Sequence, residues 1–217
     1  MTAAQGTYEW LLERCGDLTG SKFSDILPSE KTGKYLKSRE NLLDQLIVEN
    51  ITGVPVEQVD SKATKWGNRY ESEALTTYKF RTGLSALNVG YYKHNHLQMI
   101  GASTDFIIEN QKKGGEIKCP FNSSNHLNYI RNGLPKIYKA QVQGNMWVRE
   151  LDYMDFVSYD PRMPENIRIF IKEYERDEEY IQMLEYESIK FIGELKNALN
   201  DLLSMELSTN KKIEFNF

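Results

Sequence analysis

The strongest constraint on the fold is a change of period at Gly83. Across residues 61–82, Gly67, Glu71, Ala74, Leu75 and Tyr78 recur at helical spacing, which predicts a helix with Glu71 among small and apolar groups on its inward face. An acid in that position needs a reason. After Gly83 the period shortens: LSALNVGYY, LQMIGASTDFIIE and GGEIKCP, each bounded by polar or glycine turns, read as three strands of a meander. Helical spacing also predicts helices over 38–52, 124–132, 135–150 and 177–208, while DYMDFVSYD and IRIFIKEY read as two more strands. Helices alternating with strands predict an α/β architecture, a central mixed β-sheet flanked by helices. No repeat, low-complexity tract or linker interrupts the pattern, so residues 1–217 are expected to form a single domain.

Composition removes several functional classes. No run of eighteen apolar residues exists to span a bilayer, and the N-terminus lacks the basic stretch and apolar core of an export signal. A reducing cytoplasm is expected, with Cys15 and Cys119 as free thiols, too few and too far apart for a disulfide framework. The net charge of -4 argues against a protein that coats nucleic acid without specificity, yet the average hides a split. Residues 1–150 carry 19 Lys+Arg against 16 Asp+Glu, whereas residues 151–217 carry 8 against 15. A polyanion should meet the first part.

Alternation along GASTDFIIE puts Gly101, Ser103, Asp105 and Ile107 on one strand face, and Glu116 and Lys118 share a face of the next strand. A hairpin between them gathers two acids and a lysine on one patch, the outline of a divalent-metal site. Mg²⁺ takes oxygen ligands, and a neighbouring lysine can orient or help deprotonate an attacking water. Glu71 would complete the carboxylate set. The plain alternative is an exposed pair on a half-solvated strand with Asp105 as a surface acid.

The spacing D-x₁₀-E-x-K, with a Glu upstream on a helix and a Gln-x-Gln helix downstream, resembles the PD-(D/E)XK nuclease superfamily. The chain is further similar to the phage lambda exonuclease family of viral recombination alkaline exonucleases. The matching stretches are Trp10, Arg14 and Ser21 in WLLERCGDLTGS, KWGNRYE at 65–71, GASTD at 101–105, GEIKCPF at 115–121, YKAQVQGNMWV at 138–148 and YDPRM at 159–163. This resemblance implies a restriction-endonuclease-like fold and an ATP-independent exonuclease. It would need Mg²⁺, with Mn²⁺ as a substitute, and digest one strand of duplex DNA 5′ to 3′ to leave 3′ overhangs. It further implies a homotrimeric ring that encloses DNA ends, a single-strand annealing protein as partner, and a phage or prophage origin. On the matching positions, Asp105, Glu116, the Ile117 carbonyl and Glu71 would hold metal. Lys118 would position the nucleophilic water, and Arg14, Ser21, Ser103 and Gln141 would bind the 5′ phosphate. Two departures stand out: Thr104 replaces the proline usual before the metal-binding aspartate, and Thr64 replaces the family's apolar wedge, while Lys31 matches a residue that tracks the groove.

Other signals carry less. Lys93-His94-Asn95-His96 reads as a turn, and His126 as a surface or capping histidine with no second ligand at metal spacing. Thr32-Gly33-Lys34-Tyr35 lacks the glycine and hydroxyl of a phosphate-cradling loop, so no nucleotide cofactor is expected. Trp66, Tyr70 and Tyr78 read as core. Tyr129, Arg131, Lys136 and Lys139 read equally as a backbone-contacting basic patch or a solvated face. A structure-specific or restriction-type endonuclease on the same scaffold, and a DNA-end-binding module without catalysis, remain as alternatives.

Overall fold

A computed structural model describes residues 3–56 and 61–209. In chain order it contains α1 (Tyr8–Glu13), β1 (Leu18–Thr19), α2 (Phe23–Ile26), α3 (Lys37–Thr52), α4 (Lys62–Thr82), β2 (Ala86–Asn88), β3 (Tyr92–Lys93), β4 (Ile100–Ala102), β5 (Phe106–Ile108), β6 (Lys113–Lys118), α5 (Ser123–Asn132), α6 (Lys136–Arg149), β7 (Tyr153–Tyr159), β8 (Ile169–Glu175) and α7 (Glu178–Thr209). No helix among the described residues is long and apolar enough to cross a membrane.

The main sheet has the order β2-β5-β6-β7-β8. β2, β5 and β6 pair antiparallel in succession, β6 and β7 are parallel, and β8 returns antiparallel. The parallel step needs a crossover, which α5 and α6 supply. Side chains of β7 alternate as the pleat requires: Asp155, Val157 and Tyr159 meet α4, where Tyr78 donates to Asp155 at 2.6 Å and Tyr159 donates to Glu73 at 2.5 Å. On the other face Phe156 packs on Tyr129 and Tyr138, and Ser158 bonds His126. Ala74, Leu75 and Tyr78 of α4 are buried with Phe106, Ile117 and Val157. Glu71 lies one turn beyond this stripe, half-buried.

The stretch 97–108 is not one strand. β4 pairs with β1 and β3 in a separate three-stranded sheet, while β5 belongs to the main sheet. The chain crosses between the two sheets at residues 103–105, where Thr104 is fully buried and the Asp105 amide donates to the Gly115 carbonyl at 3.1 Å. Ser103 and Asp105 therefore sit in a crossover and not on the shared strand face that alternation predicts. LSALNVGYY is divided in the same way between β2 and β3.

A larger core joins the small sheet to α2, α3, α6 and α7 through Leu18, Phe23, Leu42, Ile100, Trp147, Leu184 and Phe191. Gly144 makes this packing possible, since a Cβ there would lie 2.1 Å from the Phe23 ring. His126 is fully buried, contrary to the expectation of a surface or capping role. Nε2 donates to the Ile167 carbonyl at 2.7 Å, and Nδ1 shares a 2.7 Å hydrogen bond with the Ser158 hydroxyl. Residues 94–97 form the expected turn, with His94 Nδ1 accepting from the His96 and Leu97 amides.

Candidate active site

Three segments supply the charged centre: the 103–105 crossover brings Asp105, the end of β6 brings Glu116 and Lys118, and α4 brings Glu71. Glu116 is 2% exposed and Asp105 is 8% exposed, so two carboxylates are withdrawn from water within one site. Such burial is expensive unless the charges are compensated. Part of the compensation is visible. Lys118 Nζ donates to Glu116 Oε1 at 2.5 Å, Gln141 Nε2 donates to the same oxygen at 2.6 Å, and Asn145 Nδ2 donates to Oε2 at 3.2 Å. Asp105 Oδ2 accepts from the Ile117 amide at 2.5 Å. Among the described residues Glu71 accepts no hydrogen bond, and no group of three or more acids, histidines or cysteines is placed so as to hold a metal ion.

The remaining imbalance shows in the ionisation of the acids. Burial, then the charges of Glu116 and Glu71, push the Asp105 carboxyl well above the usual carboxylate range, against the pull of Lys118 and the Ile117 amide. Burial and Glu116 push Glu71 up as well. Burial works against a charged Lys118, but Glu116 and Asp105 outweigh it and hold the ammonium protonated. Lys118 is therefore a donor in this arrangement. Asp105, Glu116 and Glu71 are hard oxygen donors around a single lysine, the donor chemistry a cation of the Mg²⁺ type takes, although they are not drawn together into a ready metal site.

Gln141 and Asn145 lie one helical turn apart on α6, which is why both reach Glu116. The other glutamine of the Gln-x-Gln motif does different work. Gln143 Nε2 donates to the Glu175 carbonyl at 2.9 Å and its Oε1 accepts from the Asp177 amide at 2.9 Å, tying α6 to the junction of β8 and α7. Asn145 was not singled out by sequence reasoning, although its i+4 spacing from Gln141 marks it. It is fully buried, and its Oδ1 lacks a partner among the described residues. A Cβ at Gly20 would lie 2.3 Å from that oxygen, so glycine lets the segment carrying Ser21 close onto α6.

Thr64, Asn68 and Glu71 line one face of α4 and border two cavities. One, of about 660 Å³, contains Trp10, Arg14, Thr19 and Ser21. Arg14 donates to Thr19 Oγ1 at 3.0 Å, and its guanidinium stacks 3.9 Å from the Trp10 ring centre. Burial lowers its pKa, although an arginine stays charged through such a shift. Thr19 is a hydroxyl that sequence reasoning did not select. Ser103 lines neither this cavity nor the next; it is half-buried in the chain crossover, its hydroxyl without a partner among the described residues. Gln141 is held at Glu116 and is thus placed at the charged centre. The second cavity, of about 550 Å³, contains Ile117, Lys118, Phe121, Asn125 and Tyr138.

Several other expectations are corrected by the geometry. Of the predicted aromatic core, Tyr78 is fully buried, but Trp66 and Tyr70 are only half-buried. Trp66 stacks against Tyr70, with centroids 4.4 Å apart, and meets Phe121 edge-on at 5.9 Å. In the basic cluster, Lys136 pairs with Glu30 at 2.8 Å, Lys139 pairs with Asp177 at 3.0 Å, and Tyr129 is buried. Cys15 and Cys119, by contrast, are free thiols as expected, and burial pushes Cys119 up to about 12, which makes it a poor nucleophile.

A mixed sheet that presents Glu-x-Lys at the end of one strand, with an aspartate from the preceding crossover, defines the PD-(D/E)XK type of fold. Residues 9–152 match the YqaJ-like viral recombinase domain, and the chain belongs to that lambda-exonuclease-like family. The fold is similar to that of the alkaline exonuclease LHK-Exo from Laribacter hongkongensis, at 31% identity and a TM-score of 0.85, over 94% of this chain and 100% of that one. The likeness is the same to LHK-Exo in complex with dAMP. A phage-related exonuclease from Haemophilus somnus 129PT shares the fold at 17% identity and a TM-score of 0.68, over 88% of this chain and 96% of that one. No curated protein sequence matches significantly.

Proposed function

We propose that the chain is a DNA exonuclease that removes nucleotides from the 5′ end of one strand of linear duplex DNA, leaving 3′ overhangs. The observation that carries this reading is the ridge of Thr64, Asn68 and Glu71. On one side lies the cavity with Arg14, Thr19 and Ser21, and on the other the cavity with Lys118. Arginine and hydroxyls suit a terminal phosphate dianion. A strand anchored there would present its next phosphodiester to the acids and Lys118. The likeness to an alkaline exonuclease that was crystallised with a mononucleotide supports hydrolysis one nucleotide at a time.

Asp105, Glu116, the Ile117 carbonyl and Glu71 would hold Mg²⁺, with Mn²⁺ as a substitute. When bound, the ion supplies Lewis acidity for phosphodiester hydrolysis. The protein's own contribution is positional. Gln141 and Asn145 fix the Glu116 carboxylate, Asp105 is held by the Ile117 amide, and the Lys118 ammonium donates to oxygen at the reacting phosphate or to the attacking water. No nucleotide cofactor enters this chemistry. A homotrimeric ring around DNA and a single-strand annealing partner belong to the same reading. Light scattering on the purified chain tests the trimer.

The deciding experiment incubates end-labelled linear and closed circular duplex with the protein and Mg²⁺, without ATP. Loss confined to linear DNA, faster from 5′-phosphorylated ends, is expected. Cutting of circles would make the protein an endonuclease, and absence of digestion would leave an end-binding module.

A further inference from the structure

We propose that Phe121 is a stacking platform for the nucleobase on the 3′ side of the scissile bond, the base that becomes terminal after each cleavage. Phe121 follows β6 by three residues, is 47% exposed and lines the cavity that contains Lys118. It does not sit there loosely. Arg162, from the YDPRM stretch, donates to the Phe121 carbonyl at 3.0 Å and the Pro120 carbonyl at 3.2 Å. The same guanidinium makes a fork to Asp160, with bonds of 2.7 and 2.9 Å, and the Asp160 side chain is fully buried. Its flat face lies 4.2 Å from the Trp66 ring centre, and Trp66 in turn meets Phe121. A rigid bracket thus presents an aromatic ring to the cavity while leaving nearly half of its surface in water.

The surroundings say what that surface is for. Asn68, Asn122 and Asn125 line the same cavity, so the apolar ring is flanked by amides, the mixture that suits the face and edges of a base better than an apolar protein segment. Stacking on one aromatic ring tolerates any base, as a nuclease without sequence preference requires. The position in the strand follows from the ridge on α4. With the terminal phosphate in the Arg14 cavity, the nucleotide to be removed ends at the Glu71 and Lys118 centre, and the next nucleotide falls on the Phe121 side. This inference rests on the exonuclease reading.

The test uses 5′-phosphorylated duplexes carrying an abasic analogue at the second or the fifth nucleotide, with single-turnover release of the first nucleotide as the readout. Wild type should lose on the order of 10-fold in apparent affinity when the second nucleotide is abasic and nothing when the fifth is. Phe121→Leu, which keeps an apolar contact to Trp66 but has no aromatic face, should show the same loss on intact DNA and none further on the second-position substrate. Phe121→Trp should behave as wild type. The proposal is overturned if Phe121→Leu matches wild type on intact DNA, or if its loss multiplies with that of the abasic substrate. Failure of wild type to release a nucleotide from any duplex overturns the exonuclease reading itself, a result separable from both.

Discussion

Gln141 and Asn145 donate to different oxygens of the same carboxylate, so Glu116 is gripped from α6 at both corners while Lys118 approaches along the strand. Replacing Asn145 with Asp would set a like charge against a buried acid. Asn145→Asp should lower kcat by on the order of 100-fold, whereas Gln143→Ala, which removes only the tie to Glu175 and Asp177, should lower Tm and leave kcat near wild type. Steady-state rates alongside thermal melts separate the two.

Removing the lysine tests the chemistry itself. Lys118→Ala should cut the cleavage rate on the order of 100-fold or more and leave binding of linear duplex intact, as read by fluorescence anisotropy. A variant retaining full rate would remove Lys118 from the mechanism.

Arg14 faces a different task. Arg14→Ala should erase the difference in rate between 5′-phosphorylated and 5′-hydroxyl ends, and Arg14→Lys should restore part of it, because an ammonium offers the charge without the planar fork. The ratio of initial rates on the two ends is the measurement.

Mutual repulsion among Asp105, Glu116 and Glu71 gives a prediction that does not depend on turnover. Mg²⁺ at saturating concentration should raise Tm by several degrees, since a ligand at 100 times its Kd stabilises by about 2.7 kcal/mol. Asp105→Asn should blunt that rise, and chelation should reverse it in wild type. Equal melting curves with and without the ion would speak against a bound cation.

His126 carries a structural prediction. With both ring nitrogens bonded in the interior, His126→Ala leaves a cavity and two unpaired groups, Ser158 Oγ and the Ile167 carbonyl. The cost should be roughly 3 kcal/mol, a fall in Tm on the order of 10 °C. Cleavage measured well below the melt should be retained.

Much of this was readable from residue order because the determinants are local. The α4 stripe, the Ser61 side chain capping it, the left-handed Gly83 that stops it and the alternation along β7 each depend on a few neighbouring residues. The acid and lysine letters at 105, 116 and 118 survive any error of a residue or two in strand bounds. Alternation failed where pairing is non-local. Nothing between Ile100 and Ile108 announces that the first half pairs with β1 and β3 and the second with β2 and β6. The burial of His126 likewise depends on Ser158 and Ile167, which lie 32 and 41 residues away. Asn145 was overlooked because its partner is a strand residue, invisible from the helix alone.

Tyr78 to Asp155, Glu73 to Tyr159 and Trp66 to Arg162 fasten α4 along the strand and turn behind it at three heights. A beam riveted in this way cannot slide lengthwise, and Thr64 and Glu71 stand about 10 Å apart along it by helical rise alone. The length of the ridge that borders both cavities is consequently a rigid dimension, inherited from backbone geometry, and does not depend on any loop closing.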